Sequence, residues 1–382
     1  MRRYLSDGAT TVLSLLLLIA SALVLGWYLL IAVDPAGPWN PLPPDEGPVA
    51  VAAQNTRELG AAQVWPPTWT PTATGTHTPT PTITPTPTST ATRHPPTPTN
   101  TPNPRLPYYI SRLRKQTFRG GTVKITGNIP DNEAYAAYYI SYPSGELTIT
   151  GYMYVPKGRG PFPVVILNHG YYDPELYYTG TGTQREADYL ARQGYLTIAP
   201  DYRNYGESSA GDSLLLVGYV EDVLHLVSSV KTIDQADPSR IGMWGHSMGG
   251  GVSIKVGVVS DRIKAVALFG SVGADEKDNY YWNGVARAQV RQIFGLPERN
   301  PGPYYKASPI NYLDRAPPMS IHHGQADDIV PIEFSEKLYA KMQEAGRPVE
   351  LFTYPGEAHT FQGEGWELAM ERVLAFFDEY LR

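Results

Sequence analysis

Arg240-Ile241-Gly242-Met243-Trp244-Gly245-His246-Ser247-Met248-Gly249-Gly250 carries the pattern G-x-S-x-G between an apolar run and a small-residue stretch that continues to residue 259. The run over 241–244 predicts a strand and the stretch over 248–259 a helix, so the pattern falls on a sharp strand-to-helix turn. Such a turn holds its serine in a strained backbone conformation, with the hydroxyl exposed above the sheet. Glycines flank the serine because strand and helix approach too closely there for side chains. Gly and Ser are common, so the pattern alone specifies little, and its meaning depends on partners elsewhere in the chain.

Strands and helices alternate on both sides of this turn. Residues 138–142 and 147–155 flank Pro143-Ser144-Gly145-Glu146 and predict a β-hairpin. Apolar runs over 163–168, 195–200, 265–269, 319–322 and 349–354 predict further strands. Helical spacing runs over 184–193, 214–231, 332–345 and 366–381, with Gly194 and Gly346 as stops for the first and third of these. This alternation predicts an α/β fold with a mostly parallel central sheet and helices on both faces. An insert over about 271–312 carries Tyr280, Tyr281, Trp282, Phe294, Tyr304, Tyr305 and Tyr312. Its aromatics read either as the wall of a substrate pocket or as packing of the insert on the domain.

The first hundred residues have a different composition. Residues 8–33 contain no charge, and their Leu-rich centre, 12–30, is long enough to cross a hydrocarbon core of about 30 Å as a helix. Arg2 and Arg3 precede the run, and Trp27 and Tyr28 stand near its outer end, where amphipathic rings favour the interface. The expectation is a transmembrane helix over 11–33, inserted in the lipid bilayer of the cell membrane. Residues 1–10 are then cytoplasmic and the rest extracytoplasmic. A cleaved signal peptide followed by secretion is the rival, since Ala20-Ser21-Ala22 resembles a cleavage site, although the apolar run continues well past it. Residues 34–107 form a Pro/Thr-rich stalk, with Pro and Thr dominant over 66–107. Such a segment buries no apolar area and stays disordered and extended. At a polyproline-like rise of roughly 3 Å per residue it spans on the order of 100 Å. Residues 108–382 are then the catalytic domain.

The net charge of −6 argues against a nucleic-acid partner. The absence of cysteine excludes disulfides, a cysteine nucleophile, zinc–thiolate sites and a lipid anchor on cysteine.

A serine hydroxyl is a weak nucleophile at neutral pH and needs a base. Histidine suits that role, and a carboxylate must fix its tautomer. Sheet hydrolases with this turn place the three in the chain order Ser, Asp or Glu, His. Here Ser247 is followed by Asp327, in the stretch 323–331 after the predicted strand 319–322. His359 comes next, after the predicted strand 349–354. All three project from loops at the carboxyl ends of strands, the edge at which open α/β sheets bind ligands. Two backbone N–H groups must face the developing oxyanion. Met248, directly after the serine, supplies one, and Tyr171, in Asn168-His169-Gly170-Tyr171 after an early strand, is expected to supply the other.

Together these motifs resemble the catalytic domain of the prolyl oligopeptidase family of serine hydrolases, within the α/β-hydrolase fold. The resemblance covers about residues 138–382. It rests on His169-Gly170, on Ala199-Pro200-Asp201-Tyr202-Arg203-Asn204-Tyr205-Gly206-Glu207-Ser208, and on the stretches 245–250, 323–331 and 354–359. It implies a serine-type peptidase whose acid is the first Asp after His-Gly-x-x, which is Asp327. The family's N-terminal β-propeller is replaced by the apolar segment and stalk. Dienelactone-hydrolase-like esterases share much of the pattern, so a carboxylesterase is the alternative. An acyltransferase and a catalytically silent binding domain are the remaining readings. The expected substrate is a peptide or a small-molecule ester, with no cofactor and no metal.

Several residues compete for these roles. Asp328 is the rival acid. His246 is read as a filler of the motif rather than a base. His322 and His323 point to opposite faces of a strand and, with Asp327 and Asp328, form a weak metal-ligand candidate without the H-E-x-x-H spacing. Asp201 and Arg203 are expected to pair and hold their loop, and Glu221 and Asp222 to be ordinary helix carboxylates. Ser208 and Ser209 lack a glycine turn and are poor nucleophile candidates.

Overall fold

A computed structural model of the chain describes residues 103–284 and 286–382. The transmembrane segment expected over 11–33 and the stalk up to residue 102 lie outside the described residues. Among the described residues no helix is long and apolar enough to cross a membrane.

Nine strands are described: β1 Lys124–Ile129, β2 Tyr135–Ser144, β3 Leu147–Pro156, β4 Phe162–Asn168, β5 Leu196–Pro200, β6 Ala236–His246, β7 Ile263–Phe269, β8 Met319–Gly324 and β9 Val349–Tyr354. They form one sheet in the order β1-β2-β3-β5-β4-β6-β7-β8-β9. β1, β2 and β3 pair antiparallel and β3 meets β5 antiparallel, while β5, β4, β6, β7, β8 and β9 run parallel. The expected hairpin is β2–β3, joined through Gly145-Glu146 with Ser144 opposite Leu147. Gly145 takes φ +60°, the positive value that a two-residue hairpin turn with glycine first requires.

The helices are α1 Ile110–Leu113, α2 Gln184–Arg192, α3 Val217–Ser229, α4 Met248–Val259, α5 Glu276–Trp282, α6 Arg287–Phe294, α7 Pro301–Ala307, α8 Glu333–Glu344 and α9 Gly363–Leu381. The strands of the parallel region alternate between two cores. Val164, Ile166, Met243 and Val266 pack with Val223 and Val227 of α3 and Val252 and Val256 of α4. Val165, Leu167, Trp244 and Ala267 pack with Ala187 and Leu190 of α2 and Met370, Val373 and Phe377 of α9. A strand buried on both faces reads as a continuous apolar run, which is why β4 was legible in the sequence.

The structure adds elements that the periodicity does not announce. β1 and α1 occupy the stretch before residue 134, and β6 begins five residues before Ile241, at Ala236. Three short helices, α5, α6 and α7, fill the insert. Gly295 at φ +81° ends α6, and Pro301 opens α7, so no apolar period there runs long enough to signal a helix.

From β4 the chain passes to β5 on one side and then to β6 on the other. The crevice at such a switch, outside the carboxyl ends of the strands, is where open α/β sheets bind ligands. Asn168, at the end of β4, lies in register with Gly245, near the end of β6. α4 then packs very closely on both strand ends. A Cβ on Gly249 would stand 2.0 Å from the Asn168 carbonyl oxygen, and one on Gly245 would stand 2.4 Å from Ser253 Oγ. Gly249→Ala is therefore expected to destabilise the protein by about 1–3 kcal/mol or more through overpacking. Gly302→Ala, in open space in α7, should be neutral or stabilising by up to about 1 kcal/mol. Denaturant titration of the two variants compares them, and equal stabilities would contradict the close-approach account.

Candidate active site

Ser247 joins β6 to α4 with φ +55° and ψ −120°. A non-glycine residue in this region carries strain of about 1–3 kcal/mol and persists only when its surroundings over-determine it. Here they do. The Ser247 N–H donates to the Phe269 carbonyl at 2.9 Å, and the Ser247 carbonyl accepts from Gly250 N–H at 3.0 Å and Val272 N–H at 3.2 Å. The serine is thus pinned to the end of β7 on one side and to the first turn of its own helix on the other. Met248 is the first residue of that helix, a position whose N–H has no carbonyl of its own helix to bond. The loop after β4 runs alongside: a Cβ on Gly170 would stand 3.3 Å from the Ser247 Cβ. Tyr171, next in that loop, exposes its side chain to solvent.

Asp327 and His359 meet from the loops after β8 and β9. His359 Nδ1 lies 2.8 Å from Asp327 Oδ2. A carboxylate only accepts, so Nδ1 carries the hydrogen, and Nε2 of a neutral ring is left as the basic nitrogen. The other carboxylate oxygen accepts from the N–H groups of Ile329 at 3.0 Å and Val330 at 2.9 Å. His323 Nε2 stands 3.2 Å from Asp327 Oδ2 and 3.0 Å from the Val330 carbonyl, while its Nδ1 pairs with Ser335 Oγ at 2.7 Å. Burial by itself would push the Asp327 carboxyl up. The hydrogen bonds from His323, His359 and the Val330 N–H outweigh it and hold the carboxyl well below the usual carboxylate range. Asp328, the rival acid, is exposed, and the contact to His359 is made by Asp327.

Three further residues shape this site, and the sequence alone did not single them out for it. Gly270, at the end of β7, leaves room for the pair, since a Cβ there would stand 3.0 Å from Asp327 Oδ2 and 3.1 Å from His359 Nδ1. His323 supports the acid, as described above. His246 does more than fill the motif. Its Nε2 pairs with the His359 carbonyl at 2.9 Å, and its ring lies 4.6 Å from the His359 ring. The carbonyl only accepts, so Nε2 carries the hydrogen. Burial, then the nearby His359 ring, draws the His246 pKa down to about 4, which keeps it neutral at working pH. A strand-terminal glycine and histidines inside motifs are the only sequence signals these residues leave.

Other expectations change. Asp201 and Arg203 do not pair. Arg203 forks onto Asp222, with Nη2 to Oδ1 at 2.8 Å and Nε to Oδ2 at 3.1 Å. Asp201 instead accepts from Thr150 and Thr179 hydroxyls and from Tyr177 OH, at 2.7, 2.8 and 2.8 Å. Asp222 is therefore not an ordinary helix carboxylate: it is fully buried and also accepts from Ser144 Oγ at 2.6 Å. A buried carboxylate needs such partners, and the guanidinium fork supplies them. Ser208 and Ser209 accept from the N–H groups of Thr150 and Thr148 and tie their loop to β3. His322 pairs with Ser320 Oγ and Tyr354 OH, away from the partners of His323. Among the described residues no group of three or more His, Asp or Glu is placed to hold a metal ion. Tyr280, Phe294 and Tyr304 of the insert are buried and pack edge to face, so these three serve packing.

A cleft of about 220 Å³ opens beside His246, between the start of α2 and the start of α9, with the side chains of Trp244, Phe269, Phe361 and Trp366 in its walls. None of the insert's aromatics lines it.

The family model described as the prolyl oligopeptidase family matches residues 181–382. The quorum-quenching protein AidA of Acinetobacter baumannii is 26% identical over 145 residues, 37% of this chain and 45% of that protein. Esterase FrsA of Enterobacter sp. is 29% identical over 133 residues, 34% of this chain and 30% of that protein. The chain thus matches less than half the length of each of these relatives. A solved Mycobacterium tuberculosis puromycin-hydrolyzing peptidase superposes with a TM-score of 0.54 at 25% identity, over 66% of this chain and 40% of that one. The strained serine after β6, the acid–histidine pair beyond it and the family match over more than half of the sequence lead to one assignment: the chain belongs to the prolyl oligopeptidase family.

Proposed function

We propose that the protein is a serine hydrolase that cleaves peptide or ester bonds through an acyl-enzyme, with Ser247 as nucleophile, His359 as base and Asp327 as the acid that orients it. The observation that carries this proposal is the 2.8 Å contact between Asp327 and His359, beyond a serine held at φ +55°. Ser247 Oγ attacks the carbonyl carbon while His359 Nε2 takes its proton. The N–H groups of Met248 and Tyr171 hold the oxyanion of the tetrahedral intermediate. His359 then gives its proton to the departing amine or alcohol. Water then gives a proton to the same nitrogen as its oxygen bonds to the acyl carbon, and the bond to Ser247 Oγ breaks as His359 returns that proton to the serine and the acid is released. Asp327 stays ionised throughout and stabilises the imidazolium.

Peptide bonds are the first substrate class, because the family is one of peptidases. Ester bonds are the second, because a relative is named an esterase. Peptide anilides and p-nitrophenyl esters assayed side by side separate the two. In either assay Ser247→Ala and His359→Ala are expected to lower kcat by about 10⁴–10⁶, and Asp327→Asn by about 10⁴. Turnover by Ser247→Ala within tenfold of the parent would contradict the assignment.

The depressed Asp327 pKa also sets a pH dependence. Its contribution to stability is fully present above the unfolded carboxylate value, near 4, and is lost as pH falls towards the lower folded value. Chemical denaturation across the acid range should show wild-type stability falling more steeply below about pH 4 than that of Asp327→Asn. Parallel curves would remove Asp327 from its paired, ionised role.

The proposal extends to location: residues 11–33 anchor the chain in the cell membrane, with the catalytic domain outside. Full-length protein should sediment with membranes and be cut by protease added to intact cells. A mature chain that lacks residues 1–22 and is found in the medium would favour signal cleavage instead.

A further inference from the structure

One aromatic of the insert reaches the loop after β8, which carries the acid. Trp282, the last residue of α5, is half-buried, and its indole Nε1–H donates to the Ile329 carbonyl at 3.0 Å. That carbonyl belongs to the peptide group joining Ile329 to Val330. The N–H of the same group donates to Asp327 Oδ1 at 2.9 Å. In a planar trans peptide the C=O and the N–H point in opposite directions. A donor on the oxygen therefore fixes where the N–H points, and it polarises the group so that the N–H donates more strongly. The indole and the carboxylate hold one rigid unit from its two ends. The next carbonyl, of Val330, is taken by the Nε2–H of buried His323 at 3.0 Å. Consecutive carbonyls of the acid loop are thus bound by ring N–H groups, one from the core and one from the insert.

The indole is itself held in place. Its ring meets Phe334, in the first turn of α8, edge to face with centres 5.8 Å apart. Lys337, one turn further along α8, pairs with Asp275 at 2.8 Å and with Asp278 at 2.7 Å. Asp275 caps the start of α5 by accepting from the Lys277 N–H at 3.0 Å. α5 is therefore fastened to α8, the helix that follows the acid loop in the chain, and Trp282 joins α5 to the loop itself. Packing on Phe334 would need no N–H, so the bond to Ile329 is a separate feature of this side chain.

We propose that Trp282 is a positioning residue for the acid: its indole N–H orients the 329–330 peptide group that holds Asp327, and through Asp327 it sets His359 for proton transfer. The insert thereby takes part in the chemistry without touching the reacting atoms. This deepens, and rests on, the serine-hydrolase proposal above.

The test removes the N–H and keeps the shape. Incorporation of benzothienylalanine at position 282 puts sulfur where the indole carries its N–H, and Trp282→Phe removes the N–H together with part of the ring. Both proteins are compared with the wild type on an ester or peptide anilide that the wild type turns over. Each is expected to lower kcat about three- to tenfold, the range a single hydrogen bond supplies, with KM unchanged. Ser247 labelling by a small alkyl fluorophosphonate should slow by the same factor, because it depends on the base and not on substrate contacts. The downfield proton resonance of His359 Nδ1–H, identified by its loss in His359→Ala, should move upfield as the bond to Asp327 weakens, whereas a packing role alone would leave it in place. Unchanged kcat and labelling with benzothienylalanine would overturn the proposal whatever Trp282→Phe does, since ring shape and not the N–H would then matter. A raised KM with an unchanged labelling rate would also overturn it, by placing Trp282 against the substrate. Failure of the wild type to label at Ser247 would overturn the serine-hydrolase proposal itself, and the His359 resonance would still report whether Trp282 acts on the acid, which separates the two.

Discussion

The end of β6 is the constraint on which the rest of the site depends. Strand and helix meet there so closely that Gly249 packs directly on the Asn168 carbonyl, and the chain can turn only by holding Ser247 at φ +55°. That strain is offset by backbone hydrogen bonds from the neighbouring strand β7 and from α4. The consequence is positional. Ser247 is fixed against the loop after β4, where a Cβ on Gly170 would stand 3.3 Å from its Cβ, while the loops after β8 and β9, each set by its own strand in the parallel sheet, bring Asp327 and His359 together. Preorganisation of this kind is what an acyl-transfer site requires, since groups already in place need no rearrangement as charge develops.

Around that turn, polar groups support one another through backbone atoms more than through side-chain pairs. Asp327 is held by the amides of Ile329 and Val330 as well as by two imidazoles, and His246 holds His359 by its carbonyl. Gly270 keeps open the space in which acid and histidine meet. On the far side of the same crevice, Asp201 gathers Thr150, Tyr177 and Thr179, and Arg203 forks onto buried Asp222. Asp201 thereby ties the end of β5 to the loop before α2, and Asp222 ties α3 to the loop after β5.

The sequence discloses the parallel core because strands buried on both faces are continuous apolar runs, and β4, β5, β7 and β9 are read from it within two residues. The order of serine, acid and histidine was legible because each follows such a strand. Partners were not. Asp201 and Arg203 are near in sequence and opposite in charge, yet the pairing that forms joins Arg203 to a residue on α3, which no local pattern announces. His246 and Gly270 act through a backbone carbonyl and through the space left by an absent Cβ, neither of which has a residue-type signature. The insert's aromatics drew attention as a substrate wall, but three are consumed by packing, and the aromatic cleft is built from β6, β7 and the segments that begin α2 and α9.

The most direct test of the central claim is peptide mapping by mass spectrometry after the purified protein is trapped with a fluorophosphonate. The account predicts a single covalent adduct on Ser247, absent when Ser247 is replaced by alanine and greatly slowed when His359 is. An adduct on Ser208 or Ser209, or no adduct on folded protein, would contradict it.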